Sequence, residues 1–98
     1  MLRFGSALPE SVLPSEDNAE KDYVVMPSLR LLFGRRLKLL RRQSGFTQEQ
    51  LGMESALSTD QIGLMERGQS AASFETLELL SCALNVPVRS LFDFRDLV

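Results

Sequence analysis

Apolar residues recur at helical spacing along the second part of the chain, and capping residues separate each periodic stretch from the next. The first predicted helix runs from Leu29 to about Gln43, with Ser28 as its N-cap and Gly45 just beyond its end. Its apolar face is formed by Leu29, Leu32, Phe33, Leu37 and Leu40.

The central segment predicts two short helices joined by a tight turn. Thr47, followed three residues later by Gln50, forms a capping box that starts the first of these helices. Leu51 and Met53 supply its apolar side. The turn is assigned to residues 54–57 because this stretch is too short for a separate loop.

The second short helix covers about residues 58–67, with Ser58 as its N-cap and Gly68 as its stop. Ile62 and Met65 form its apolar side. Its outward positions are Thr59, Asp60, Gln61, Gly63 and Leu64. Gly63 inside this helix costs about 1 kcal/mol relative to alanine, so it either leaves room for a close approach or is a neutral replacement.

Two further helices complete the predicted bundle. Ser73 caps a fourth helix that reaches about Leu84, and a short fifth helix, Val88 to Phe92, follows Pro87. The buried side of the fourth is assigned to Phe74, Leu77, Leu80, Cys82, Ala83 and Leu84. With no strand in the predicted core and short connections, the fold class is all-α, and sequential helices should pack on one another.

Composition narrows the functional classes. A chain of 98 residues with one cysteine and no histidine excludes an internal disulfide framework and a Cys/His zinc site, and it lacks the commonest general base. We therefore expect no enzymatic activity, metal, cofactor or small-molecule substrate. No apolar run approaches the ~20 residues that span a membrane, and no signal peptide is evident, so a cytoplasmic setting is expected.

The chain divides into an N-terminal extension, residues 1–27, and a helical domain, residues 28–98. Residues 1–22 contain prolines, serines and acidic residues without a sustained period, which is typical of disorder. Tyr23–Met26 is a short β-prone run, interpreted as a strand or as an arm that packs on a partner subunit.

Charge is distributed unevenly. Residues 1–29 hold two basic and five acidic side chains, whereas residues 30–98 hold nine basic and eight acidic ones. An uninterrupted basic group lies on the first predicted helix: Arg30, Arg35, Arg36, Lys38, Arg41 and Arg42. Such a patch can attract nucleic acid although the net charge is −2, because the local field acts within roughly one Debye length.

The motifs in this order resemble the lambda-repressor/Cro-like (XRE) helix-turn-helix proteins of bacteria and phage. The resemblance covers about residues 31–92 and is carried by Gly34–Arg41, Gly45–Leu51, Leu57–Ser58, Met65–Gly68, Leu77, Leu79–Leu80 and Ala83–Val86. It implies a five-helix, lambda-repressor-like bundle that presents its third helix to the major groove of double-stranded DNA. A cytoplasmic, nucleoid-associated protein is then expected.

The resemblance also implies roles for individual residues. The positions that match base-contacting residues are Gln48, Thr59, Asp60, Gln61 and Leu64. Arg41 and Glu66 match an ion pair that ties the first helix to the third. The loop positions that match phosphate contacts are Arg67, Gln69 and Ser70. Independently of the resemblance, Thr47 at a helix N-terminus and the basic side chains of Arg35 and Arg42 suit phosphate binding.

The chemistry of these side chains favours A·T pairs. Gln48 and Gln61 can each bond adenine bidentately, Asp60 can accept from cytosine N4, and Thr59 can contact a thymine methyl. The predicted recognition helix offers no arginine–guanine contact before its last residue. The sequence departs from the family at Ala56, where the turn usually has glycine.

Few base contacts per subunit predict a homodimer on a palindromic operator, acting as a repressor or autoregulator. The expected dimer interface is Leu91, Phe92, Phe94, Leu97 and Val98, with Tyr23–Met26 as the next candidate. Restriction–modification controller proteins, phage repressors and antitoxins all fit this size. The alternative is an antitoxin or protein-interaction module in which the extension binds a partner protein.

Overall fold

A computed structural model describes residues 28–97 and shows four α-helices followed by one 3-10 helix. These elements are α1 (Leu29–Gln43), α2 (Gln48–Ser55), α3 (Thr59–Glu66), α4 (Phe74–Leu84) and the 3-10 helix (Val88–Phe92). The all-helical prediction is confirmed, since residues 28–97 contain no strand. The N-terminal extension with Tyr23–Met26, and Val98, lie outside the described residues.

The predicted fifth α-helix is wrong in kind. The five-residue segment closes through i to i+3 hydrogen bonds, as in the 2.9 Å bond from Ser90 N–H to the Pro87 carbonyl. A segment of this length ends before a stable α-helical ladder is established, which favours the tighter 3-10 form.

All four predicted N-caps are confirmed. Ser28, Thr47, Ser58 and Ser73 adopt extended backbone conformations, and their side chains accept a hydrogen bond from the first turn of the helix that follows. These caps fix where each helix starts and therefore which residues face the core.

Each element contributes one fully buried apolar side chain to a common core. The five residues are Leu37, Leu51, Ile62, Leu80 and Leu91. Burying a leucine or isoleucine contributes roughly 1.5–3 kcal/mol, so this layer is the main reason that the short α2 and α3 are held in place.

Gly34 allows α1 to cross directly against the last turn of α3. A β-carbon at this position would overlap the carbonyl oxygen of Met65 and lie 2.7 Å from the carbonyl oxygen of Glu66. The close crossing brings the later turns of α1 within reach of α3 side chains.

Two predicted core positions face solvent instead. Met53 is 77% exposed, and Cys82 is exposed as well. Residues two apart on an α-helix lie about 200° apart, so burial of Leu51 turns Met53 outward and burial of Leu80 does the same to Cys82. On α2 the second inward position belongs to Ser55, whose hydroxyl donates to the Leu51 carbonyl at 2.6 Å.

Leu29 and Phe74 were also predicted to be buried and are not. They are 60% and 86% exposed. Each is the first residue of its helix, so no preceding turn covers it. Their side chains form part of an apolar surface between the first turns of α1 and α4.

Candidate nucleic-acid interface

A buried ion pair joins α1 to the end of α3. Arg41 donates to the carboxylate of Glu66 through Nε, at 2.6 Å, and through Nη2, at 3.1 Å. Arg41 Nη1 also donates to the Phe46 carbonyl at 2.8 Å. The structure thus brings together the two residues that the resemblance paired, and their bidentate geometry leaves α3 little freedom to rotate.

Gln48 extends this network to α2. Its Nε2 donates to Glu66 Oε1 at 3.0 Å, so one buried carboxylate accepts hydrogen bonds from both other helices. Among the described residues no buried side-chain polar atom lacks a partner. The relative orientation of α2 and α3 is therefore set by hydrogen bonds as well as by apolar packing.

An open groove of about 280 Å³ lies where the N-terminus of α2 meets the outer side of α3. The residues that line it are Gln48, Thr59, Asp60, Gly63, Leu64 and Arg67. Four of the five predicted base-contacting residues are among them. The groove contains hydrogen-bond donors, acceptors and an apolar group, which is the set that base edges require.

The fifth predicted base-contacting residue, Gln61, is exposed but does not line this groove. Its Oε1 accepts from the Ser58 N–H at 2.9 Å, while the Ser58 hydroxyl accepts from the Gln61 N–H. This second capping box was visible in the sequence as serine and glutamine three residues apart, but it was missed. It engages the oxygen that a bidentate adenine contact would use.

Gly63 was predicted to face outward and is buried. A β-carbon there would lie 3.1 Å from Arg67 Nη1 and 3.7 Å from Gln48 Oε1. The room left by this glycine is thus occupied by two side chains of the groove itself. The cost of glycine inside a helix was the sequence signal for this position.

The residues predicted to contact phosphate are differently placed. Arg67 is exposed beside the groove, and its Nε donates to Gln69 Oε1 at 3.3 Å. The Ser70 hydroxyl donates to the Ala71 carbonyl. The Thr47 N–H is engaged by Gln50 Oε1 at 2.8 Å, which leaves the next N–H groups of the first turn of α2 for an anion.

The basic residues of α1 separate into two kinds. Arg36 Nε donates to the Ser90 carbonyl at 2.8 Å and so fastens α1 to the 3-10 helix. Arg35 and Arg42 are exposed and, being seven residues apart, share one face of α1 with Lys38. Their contact with phosphate stays a prediction.

The predicted dimer interface is also divided. Leu91 is fully buried within its own chain and has no surface to offer a partner. Phe92 is 37% exposed, and its ring packs against Phe33 and Phe94 at centroid distances of 5.4 and 6.2 Å. Phe94 and Leu97 are half-buried.

An exposed ion pair lies next to these residues. Arg95 donates side-chain hydrogen bonds to the carboxylate of Asp93, at 2.9 and 2.6 Å. Together with the Arg95 N–H, these bonds lower the pKa of Asp93 to about 2.

Within residues 28–97 no helix is long and apolar enough to cross a membrane.

Known proteins resemble this chain both in sequence and in architecture. A helix-turn-helix family model (HTH_3) matches residues 37–91. The control protein C.BamHI of Bacillus amyloliquefaciens is 37% identical over 68 residues, which cover 68% of this chain and 84% of that protein.

Solved structures agree. The restriction-modification controller protein C.AhdI of Aeromonas hydrophila superposes with a TM-score of 0.63 at 38% identity, covering 64% of this chain and 96% of that one. The clp gene regulator ClgR of C. glutamicum gives a TM-score of 0.64 at 30% identity, covering 67% and 86%. These matches confirm the predicted resemblance and the expectation that the protein is not an enzyme. The chain belongs to the HTH_3 helix-turn-helix family and is a DNA-binding transcriptional regulator.

Proposed function

We propose that the protein binds its operator in a sequence-specific manner as a homodimer, with α3 of each subunit in the major groove. The observation that carries this proposal is the α2–α3 groove, which collects polar side chains from two helices on one open surface. The similarity to the restriction-modification controller protein C.AhdI, and to the control protein C.BamHI, favours a more specific role as a controller protein of restriction–modification genes.

The shape of α3 suits the major groove. Ile62 and Met65 are buried, so the opposite side of the helix is free, and Thr59 and Asp60 lie exposed at its N-terminal end. A helix fits the roughly 12 Å width of the major groove, and the N-terminal residues of recognition helices reach base edges. Leu64 extends this exposed side toward the C-terminus of α3.

The hydrogen bonds within the site change the expected base contacts. Because Gln48 uses its amide nitrogen on Glu66, its oxygen is left to accept from an adenine or cytosine amino group. Because Gln61 uses its oxygen in the cap, its amide nitrogen is left to donate. We therefore propose single hydrogen bonds from these two residues, together with Asp60 on cytosine and Thr59 on a thymine methyl.

Affinity would come mainly from phosphates. Arg67 lies at one side of the groove and the N-terminus of α2 at the other, so both can reach the DNA backbone while α3 occupies the groove. Gln69 and Ser70 would extend this contact, and Arg35 and Arg42 would strengthen the attractive field.

Salt dependence tests the DNA-binding proposal. Affinity for fragments of the chain's own promoter, measured over a salt series, should show selective nanomolar-range binding. Arg67→Gln should weaken binding to all fragments and reduce the slope of log K against log salt by about 1. Arg89→Gln, an exposed arginine on the 3-10 helix, should change neither. The absence of selective binding to any fragment would overturn the proposal and favour the protein-interaction alternative.

The dimer is proposed to form through Phe92, Phe94, Leu97 and Val98. Half-sites one helical turn apart would require the two copies of α3 in this dimer to lie about 34–36 Å apart. Sedimentation equilibrium should show a dimer that Phe94→Ser and Leu97→Ser weaken. Leu79→Ser, at an exposed apolar residue of α4, should leave it intact. Dissociation caused by Leu79→Ser alone would place the interface on α4 instead.

A further inference from the structure

The described fold leaves an apolar groove of about 200 Å³ open between the first turns of α1 and α4. The side chains that line it are Leu29, Arg30, Phe33, Ala71, Ala72, Phe74, Leu77 and Phe92. Phe33 and Leu77 are buried at its base, whereas Leu29 and Phe74 stand 60% and 86% exposed. A second hollow of about 410 Å³, which reaches Val88, shares Phe74, Leu77 and Phe92 with this groove.

Such a surface is unfavourable in water. Fully burying a leucine or phenylalanine is worth roughly 1.5–3 kcal/mol, and contiguous apolar patches usually mark a binding site. The groove shares no residue with the α2–α3 groove and so is not part of the proposed DNA contact.

The position of the groove indicates its occupant. Leu29 and Arg30 belong to the first turn of α1, which is where the N-terminal extension joins the described domain. Only Pro27 and Ser28 separate Tyr23–Met26 from that turn. Proline disfavours a helical conformation in the residue before it, and Pro27 therefore disfavours continuation of the α1 helix toward Tyr23–Met26.

The length of Tyr23–Met26 fits the distance to be covered. Four residues in extended conformation reach about 13 Å, whereas packed helices lie about 8–10 Å apart. In an extended segment alternate side chains point to opposite sides, so either Val24 with Met26 or Tyr23 with Val25 would enter the groove.

Charge supports the same arrangement. Glu20 and Asp22 immediately precede the apolar run, and Arg30 lines the groove. The first turn of α1 contains no acidic residue of its own, although negative charge is favourable at a helix N-terminus. A segment that folds back here would supply that charge.

We propose that Tyr23–Met26 folds back onto its own domain and occupies the apolar groove, covering Leu29 and Phe74 and leaving the exposed edge of Phe92 to the proposed dimer interface. The segment lies outside residues 37–91, the part that matches the family. The C.AhdI chain is 96% covered by only 64% of this one, so the interaction would be an addition to the shared fold.

A double-mutant cycle in the full chain tests this contact. Phe74→Ser should raise the unfolding equilibrium constant about tenfold, because it removes a covered ring. The matched control Met53→Ser, at a residue that is 77% exposed and lines neither groove, should change it less than about twofold. In a Val24→Ser/Val25→Ser background the effect of Phe74→Ser should also fall below about twofold. Purely additive effects would overturn the proposal.

Disulfide trapping distinguishes the chain's own segment from that of a second copy. In a Cys82→Ser background, Val24→Cys and Val25→Cys are each combined with Phe74→Cys, since one of the two should point into the groove. Oxidation should consume the thiols of one pair within a single chain, so that no covalent dimer forms. A covalent dimer would show that the segment is exchanged between copies, and no cross-link from either pair would show that it lies elsewhere; both results overturn the proposal. The control pair with Met53→Cys should not cross-link.

Discussion

The two short helices of the helix-turn-helix are built alike, yet their buried glycines lie against different kinds of neighbour. Both α2 and α3 are eight residues long, begin after a hydroxyl N-cap and close a complete capping box with glutamine. Each also contains one buried glycine. At Gly52 the neighbour is backbone, because a β-carbon would lie 2.7 Å from the Leu57 carbonyl oxygen. At Gly63 the neighbours are the side chains of Arg67 and Gln48.

The two glycines therefore differ in what an added methyl group would displace, which is backbone at Gly52 and side-chain ends at Gly63. The path of α2 is fixed by the backbone of the turn that follows it, so it acts as a rigid platform. Beside Gly63 on α3 the nearest atoms are the ends of two side chains, and the exposed Arg67 can move without displacing backbone. Glu66 connects the two helices by accepting hydrogen bonds from Gln48 and from Arg41.

Loss of the Arg41 side chain should have the largest effect on stability. Arg41→Met leaves the Glu66 carboxylate, whose side chain is 2% exposed, without its ionic partner. The expected loss is about 3–5 kcal/mol in the free energy of unfolding, measured by urea denaturation.

The exposed Arg95–Asp93 pair provides the control. Arg95→Met should leave the free energy of unfolding nearly unchanged, because the Arg95 side chain is 87% exposed. With the pKa of Asp93 at about 2, this exposed pair is fully charged at neutral pH. Similar losses at the two sites would mean that burial of the Arg41 pair does not determine its importance.

Adding a methyl group to each glycine tests the difference between α2 and α3 directly. Gly52→Ala should destabilise the fold by about 1–3 kcal/mol, because a backbone carbonyl must move. Gly63→Ala should change stability by less than about 1 kcal/mol, since Arg67 can move aside and alanine favours the helix. Equal losses would contradict the assignment of rigid and adjustable surfaces.

The turn between the helices carries a strained residue. Ala56 has φ 61°, in the left-handed region that disfavours residues with a β-carbon. Ala56→Gly should therefore raise the thermal midpoint and stabilise the fold by up to about 1 kcal/mol. Asn85→Gly, at φ 58°, should gain less, since asparagine tolerates this conformation. A gain at Asn85 that exceeds the gain at Ala56 would rule out strain in the turn.

Removal of either N-cap should reduce the stability of the fold to a similar extent, but the two changes should differ in their effect on DNA binding. Thr47→Ala and Ser58→Ala should each cost about 0.5–2 kcal/mol, measured by urea denaturation. Only Ser58→Ala removes the hydroxyl that accepts from the Gln61 N–H, and so loosens the first turn of α3, where the proposed base contacts lie. It should therefore alter base preference as well as stability. Altered preference in Thr47→Ala alone would reverse the roles assigned to α2 and α3.

The sequence predicted what local chemistry determines. The four caps, the start of every helix and one buried residue in each element followed from hydroxyl side chains and apolar spacing. Met53 and Cys82 were misplaced because an eight- or eleven-residue helix has inward and outward apolar residues only two positions apart. Which of the two residues faces the core depends on where the neighbouring helices pack, and apolar spacing within one helix does not give that placement.

The candidate site was predictable in membership and less so in bonding. Family resemblance brought Gln48, Thr59, Asp60 and Leu64 into one set, and the structure places them around one groove. It did not reveal that Gln48 and Gln61 each use part of their amide within the protein. Such competition between internal and external hydrogen bonds depends on distances of a few tenths of an ångström, which the spacing of residues does not give.

The most direct measurement of base contact by α3 is selection from a random pool of duplex DNA, performed with the wild type, Asp60→Asn and the control Glu75→Gln. The wild type should enrich a two-fold symmetric sequence with half-sites about one helical turn apart. Asp60→Asn preserves the size of the side chain but adds donors, so its sequence should change at one base pair in each half-site, from cytosine toward adenine. Glu75→Gln should leave the sequence unchanged. If the wild type and Asp60→Asn enrich the same sequence, or if the wild type enriches none, base contact by Asp60 on α3 is contradicted.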